Sequence, residues 1–87
     1  MATVWIPAPL RDLTGGRETV TAAGSNVRQV IDALDKTFPG IKARLCDANG
    51  LRPGVSVAVD THVSPLGLLQ PVSDTSEVHF LPAIAGG

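Results

Sequence analysis

The residues of this 87-residue sequence that could do chemistry are few: the thiol of Cys46, the imidazoles of His62 and His79, and the closing run Phe80-Leu81-Pro82-Ala83-Ile84-Ala85-Gly86-Gly87. A cysteine acts as a nucleophile when a neighbouring cation or histidine lowers its pKa. No such neighbour is evident beside Cys46, which reads as a small packing residue after an apolar turn. His62 and His79 have no metal-ligand spacing with each other or with Cys46, so no metal site is expected. Gly15-Gly16 and Gly24 lack the fuller glycine pattern and the lysine of a phosphate-binding loop. The closing run is different in kind, because its side chains shrink steadily until only backbone is left. Glycine has no Cβ, so another chain can approach Gly86 and Gly87 closely, and Ala83, Ile84 and Ala85 extend the narrow profile inward. Five residues beyond Pro82 reach about 16 Å when extended. A partner could thread this end through a narrow channel to reach the carboxylate of Gly87.

A tail of that kind needs a platform. Hydrophobic residues make up 44% and charged residues 17% of the chain, with a net charge of −1, which is a globular balance. The length suits one small core and leaves no room for a deep cleft. Lysines and arginines are scattered, which excludes a nucleic-acid stripe. One cysteine cannot form an internal disulfide, and no signal peptide or membrane span is expected. A cytoplasmic protein, monomeric when free, is the expectation.

Ala2 to Ile6 has the residue types of a strand, with Val4 and Ile6 inward and Thr3 and Trp5 outward. Pro7, Pro9 and Thr14-Gly15-Gly16 predict a loop leading to a second strand over Arg17 to Ala22, with Val20 and Ala22 inward. Ser25 or Asn26 can cap a helix whose apolar stripe is Val27, Val30, Ile31, Leu34 and Phe38, ending before Pro39-Gly40. Ile41 to Cys46 suits a short helical turn. Asn49-Gly50 and Pro53-Gly54 are turn signals. Val55 to Asp60 alternates cleanly, with three valines on one face. Thr61 to Ser76 reads as irregular, with room for a small extra strand, and its Leu66, Leu68 and Leu69 are expected to close the core edge. Glu77 to Pro82 is the last strand, with Val78 and Phe80 inward and His79 and Leu81 outward.

The order β-β-α-β-β predicts an α+β fold, one main helix packed across one side of a mixed four- to five-stranded sheet. Residues 1–82 would form the domain and 83–87 a flexible tail. On the sheet face the helix leaves bare, Trp5, Ala58, His79 and Leu81 fall together. An exposed apolar patch centred on a tryptophan suits partner docking.

With this order and this ending, the chain resembles the ubiquitin-like β-grasp superfamily, and within it the sulfur carriers of the MoaD/ThiS family. The similarity runs over essentially the whole chain. It is most specific at Phe80 to Gly87, and Thr14-Gly15-Gly16 after an Ile-Pro strand end leans toward the thiocarboxylate carrier of cysteine biosynthesis. Ser73-Asp74-Thr75-Ser76-Glu77 stands where many members have an Asp-Gly-Asp type turn. The resemblance implies that an adenylating enzyme of the ubiquitin-activating kind, using ATP and magnesium, attaches AMP to the Gly87 carboxylate. Sulfur then displaces AMP and leaves a thiocarboxylate. It implies no catalytic residue and no bound cofactor in this chain, which would be a co-substrate rather than an enzyme. The sulfur acceptor implied is a PLP-dependent cysteine synthase, followed by a metalloprotease, or the large subunit of molybdopterin synthase; thiamin biosynthesis is a further destination. A ubiquitin-like modifier that conjugates Gly87 to lysines, and a plain interaction domain, remain open readings.

Overall fold

A computed structural model of the protein describes residues 1–48 and 50–81. The expectations placed on Asn49, on Pro82 and on residues 83–87 lie outside the described residues.

Five strands form one sheet: β1 (Ala2–Trp5), β2 (Thr19–Ala22), β5 (Ser56–Val59), β6 (His62–Val63) and β7 (Glu77–Leu81), in the order β2-β1-β7-β5-β6. The N-terminal hairpin pairs Val4 with Val20 antiparallel, whereas β1 and β7 run parallel, with Val4 opposite Val78. On its other edge β7 pairs antiparallel with β5, Val57 opposite Phe80. The last strand is therefore the middle of the sheet. Period-2 alternation puts Ala2, Val4, Val20, Ala22, Val57, Val59, Val78 and Phe80 on the covered face, and all are buried.

The helix α1 (Val27–Thr37) lies on that face. Val27, Val30, Ile31 and Leu34 recur at helical spacing and are essentially inaccessible, each contributing about 1.5–3 kcal/mol by burial. Asn26 caps the helix, its Oδ1 accepting from the Gln29 amide at 2.9 Å. Gln29 Oε1 reaches back to accept from both the amide and the hydroxyl of Ser25, at 2.8 Å each. Three exposed donors at the helix start thereby gain partners from the side chains of Asn26 and Gln29. Gly24 tightens this entry, since a Cβ there would lie 2.8 Å from the Val30 backbone nitrogen. The helix ends at Phe38 as expected, whose amide donates to the Leu34 carbonyl.

The short helical turn is present as α2 (Ile41–Leu45), with Ile41 and Leu45 buried. Three features depart from the expectations. The Pro7 to Gly16 segment is not irregular: Ala8–Thr14 forms a 3₁₀ helix, with proline in its first turn, where a missing N–H costs nothing, and Leu10 and Thr14 turned inward. Cys46–Asp47 (β3) and Gly50–Leu51 (β4) make a separate antiparallel pair, where no strand was expected. Finally, of the three leucines expected to close the core edge, only Leu68 packs against it; Leu66 and Leu69 are 52% and 73% exposed.

The loop between β5 and β7 is ordered by hydrogen bonds. Asp60 accepts the Glu77 amide at 2.9 Å and the Ser76 hydroxyl at 3.2 Å, and its own amide donates to the Glu77 carbonyl at 2.9 Å. The serine turn at 73–76 closes on itself, Ser76 N–H to Ser73 carbonyl at 3.1 Å and Ser73 N–H to Ser76 Oγ at 3.0 Å. Among the described residues no helix is long and apolar enough to cross a membrane.

Candidate functional site

The uncovered face of the sheet is set by register. Pairing places Thr19 beside Trp5, Trp5 beside His79, His79 beside Ala58, and Ala58 beside Val63, one residue from each of the five strands. Because directly paired residues point the same way, this row crosses the bare face from one edge of the sheet to the other. Leu81, two residues past His79 on β7, is on the same face and 43% exposed.

Trp5 is 38% exposed. Its ring stacks on His79, centroids 5.2 Å apart and planes 10° from parallel, and its indole N–H donates to the Glu77 carboxylate at 3.3 Å. The tryptophan is thus held in one orientation from the neighbouring strand. Such preorganisation lowers the ordering cost of a docking contact.

The sequence placed Trp5, Ala58, His79 and Leu81 together, and the structure does so. Ala58 is only 6% exposed, so it is the floor of the face and offers little contact area of its own. Three members of the face escaped the sequence reading, the first of them Thr19, paired with Trp5 at the sheet edge. Val63 is 62% exposed at the end of the row, and Glu77 steadies the indole. Val63 was hidden because its strand is two residues long inside a segment rich in loop residues. A hairpin turn at Asp60-Thr61 would have placed it opposite Ala58.

Cys46 is buried in β3, and that burial pushes its thiol up from the ordinary value, with Lys42 pulling the other way. A thiol kept protonated is a poor nucleophile. His62 opens β6, its Nδ1 3.0 Å from the Asp60 carbonyl oxygen. Among the described residues no group of three or more His, Cys, Asp or Glu side chains converges to hold a metal ion. The expectations for Gly86 and Gly87, and for Ala83, Ile84 and Ala85 before them, fall on residues outside the described ones, which follow Leu81 in the sequence.

A mixed sheet with a parallel central pair, crossed on one face by a single long helix, is the ubiquitin-like β-grasp architecture. The ThiS family profile matches residues 4–87, and the chain belongs to the ThiS family. It is 38% identical over 91 residues to the sulfur carrier protein CysO of Mycobacterium tuberculosis, covering 98% of this chain and 97% of that protein. Among solved structures it is similar to a chain of the Amycolatopsis orientalis BexX/CysO complex, at 38% identity and a TM-score of 0.93, with 100% of both chains covered. The small archaeal modifier protein 1 of Methanosarcina acetivorans shares the fold at a TM-score of 0.81, covering 99% of this chain and 95% of that one, at 22% identity.

Proposed function

We propose that this protein is a sulfur carrier whose Gly87 carboxylate is activated and converted to a thiocarboxylate for biosynthesis. The observation that carries the reading is the 38% identity to a sulfur carrier protein over nearly the whole of both chains. A carboxylate is a poor acyl donor until one oxygen becomes a good leaving group. In the proposed sequence the Gly87 carboxylate attacks the α-phosphorus of ATP, bound with magnesium by an activating enzyme, and pyrophosphate leaves. Sulfide then attacks the acyl carbon and AMP departs, so one oxygen has been exchanged for sulfur. A persulfide donor would give an acyl disulfide first, which a thiol then reduces.

In this scheme the chain is a co-substrate. Trp5, His79 and Leu81, over the floor of Ala58, supply the face an activating enzyme holds, while Ala83, Ile84, Ala85 and Gly86 let the end of the chain pass into its active site. The likeness to a CysO chain in a complex supports binding to a partner protein. The identity to CysO favours cysteine biosynthesis as the destination, with a PLP-dependent synthase accepting the sulfur and a metalloprotease releasing the product; molybdopterin synthase is the competing acceptor. Such a pathway places the protein in the cytoplasm. Conjugation to lysines, as by a ubiquitin-like modifier, has less support, since the likeness to an archaeal modifier is one of fold alone.

Intact-mass analysis after incubation with the cognate activating enzyme, ATP, magnesium and sulfide tests the proposal. The expected product is heavier by the exchange of one oxygen for sulfur and reverts on hydrolysis. A chain lacking Gly87 that still acquired sulfur would overturn the terminal-carboxylate mechanism. Ladders of larger conjugates in the native host would favour the modifier.

A further inference from the structure

On the side of the molecule opposite the Trp5 row, two adjoining cavities of about 260 and 450 Å³ share Arg28, Gly50 and Leu68 and make one groove. Its walls come from the helix layer: α1, α2, the β3–β4 pair and the 3₁₀ turn Gly67–Leu69. The larger lobe is lined by leucines, and Arg28 is its one charged residue among the described residues. The smaller lobe adds Lys42 and Asp32, which neutralise each other through a 2.7 Å ion pair, and Asp47.

Two facts mark this groove as more than a packing remnant. The turn that holds Leu66 and Leu69 out to water is itself built. Ser64 Oγ accepts the Leu66 amide at 3.0 Å and donates to Gln70 Oε1 at 2.5 Å, while the Leu69 and Gln70 amides close the turn at 3.0 and 3.1 Å. A loop that merely frayed would not spend this many bonds to present two leucines, and exposed apolar groups framing a groove are a signature of contact surfaces. The second fact is charge. Arg28 is exposed on α1 and makes no hydrogen bond or ion pair with a described residue. It stands at the junction of the two lobes, where its charge acts on Asp32 one turn further along α1 without pairing to it, and it is the one charge facing the leucine-lined lobe among the described residues.

We propose that this groove is a second docking surface, fitted to a partner segment that carries leucine-like side chains next to a carboxylate. None of its lining residues belongs to the Trp5 row, so a second protein can take hold here while the first still occupies the sheet. The proposal does not depend on the carrier reading.

Isotope-labelled full-length protein is titrated, with amide signals followed by NMR, using two capped pentapeptides, one of leucine and glutamate and one of leucine and lysine. The glutamate peptide is expected to move the signals of Gly50, Leu51 and Gly67 to Leu69 and to bind about tenfold more tightly than the lysine peptide. Arg28→Glu should invert that preference. Leu69→Asp should abolish binding while the signals of Trp5 and His79 stay where they are, which separates loss of the groove from loss of the fold. Equal binding of both peptides, no binding of either, or shifts centred on Trp5 would overturn the proposal. So would groove signals that move with protein concentration alone, which would assign the surface to a second copy of this chain.

Discussion

Trp5 and His79, 74 residues apart in the chain, lie flat against each other on neighbouring parallel strands, with 5.2 Å between their ring centroids. The contact exists only because the first and last strands are partners, so the exposed face of Trp5 on β1 lies directly beside β7, the strand that leads to the chain end.

If the protein is the carrier proposed above, Trp5→Ala should weaken binding to its activating enzyme by about 2 kcal/mol, the scale of an interface hot spot. Trp5 lies outside the core, so the thermal midpoint should move by only a few degrees. Calorimetric titration beside a melting curve checks both halves. Unchanged affinity would remove this face from the docking surface.

Gly24→Ala should destabilise the protein by about 1–3 kcal/mol. The added Cβ would lie 2.8 Å from the Val30 backbone nitrogen and 3.0 Å from Gln29 Cβ, at a position whose φ is +155°. The helix start would have to move away from the chain entering it. A lower urea midpoint at unchanged slope is the expected readout.

Thr61 is a β-branched residue at φ +73°, following Asp60 at φ +51° in the turn between β5 and β6. Thr61→Gly should relieve this strain and raise stability by about 1 kcal/mol net of glycine's extra backbone entropy. Asp60→Ala in the same turn should do the opposite, costing about 0.5–1.5 kcal/mol, because the exposed Glu77 amide exchanges its acceptor for water. Thermal melting of the two variants should thus give shifts of opposite sign.

Cys46 should react slowly with a thiol reagent in the folded protein and rapidly once urea unfolds it. Burial raises its folded-state pKa. The unfolded thiol loses its proton first, so this contribution to stability is whole below about 8.5, the ordinary thiol value, and is lost as pH rises through the folded value. Cys46→Ala should flatten the alkaline side of the stability profile, measured by urea midpoints across that range.

Local patterns carried most of the fold. The alternation of Val57 and Val59, of Val78 and Phe80, and the stripe from Val27 to Leu34 identify faces because burial repeats with the backbone's own period. What they do not encode is which strands are neighbours, and the parallel pairing of β1 with β7 is a global property. The 3₁₀ helix at Ala8–Thr14 was masked by prolines that break a helix interior but suit its first turn. Leu66 and Leu69 misled because a leucine's type predicts burial, whereas the turn that holds it decides. The bare face was legible through alternation at Trp5, His79 and Leu81, but not at Val63, whose strand is too short to show a period.

The central place of β7 also has a mechanical side. Tension drawn along residues 82–87 by an enzyme would pull this strand lengthwise, between β1 on one edge and β5 on the other. The ladders to both neighbours would then bear the load together in shear, whereas an edge strand could peel away one bond at a time. A pull applied beyond Leu81 would therefore have to break two ladders at once before the body began to unravel.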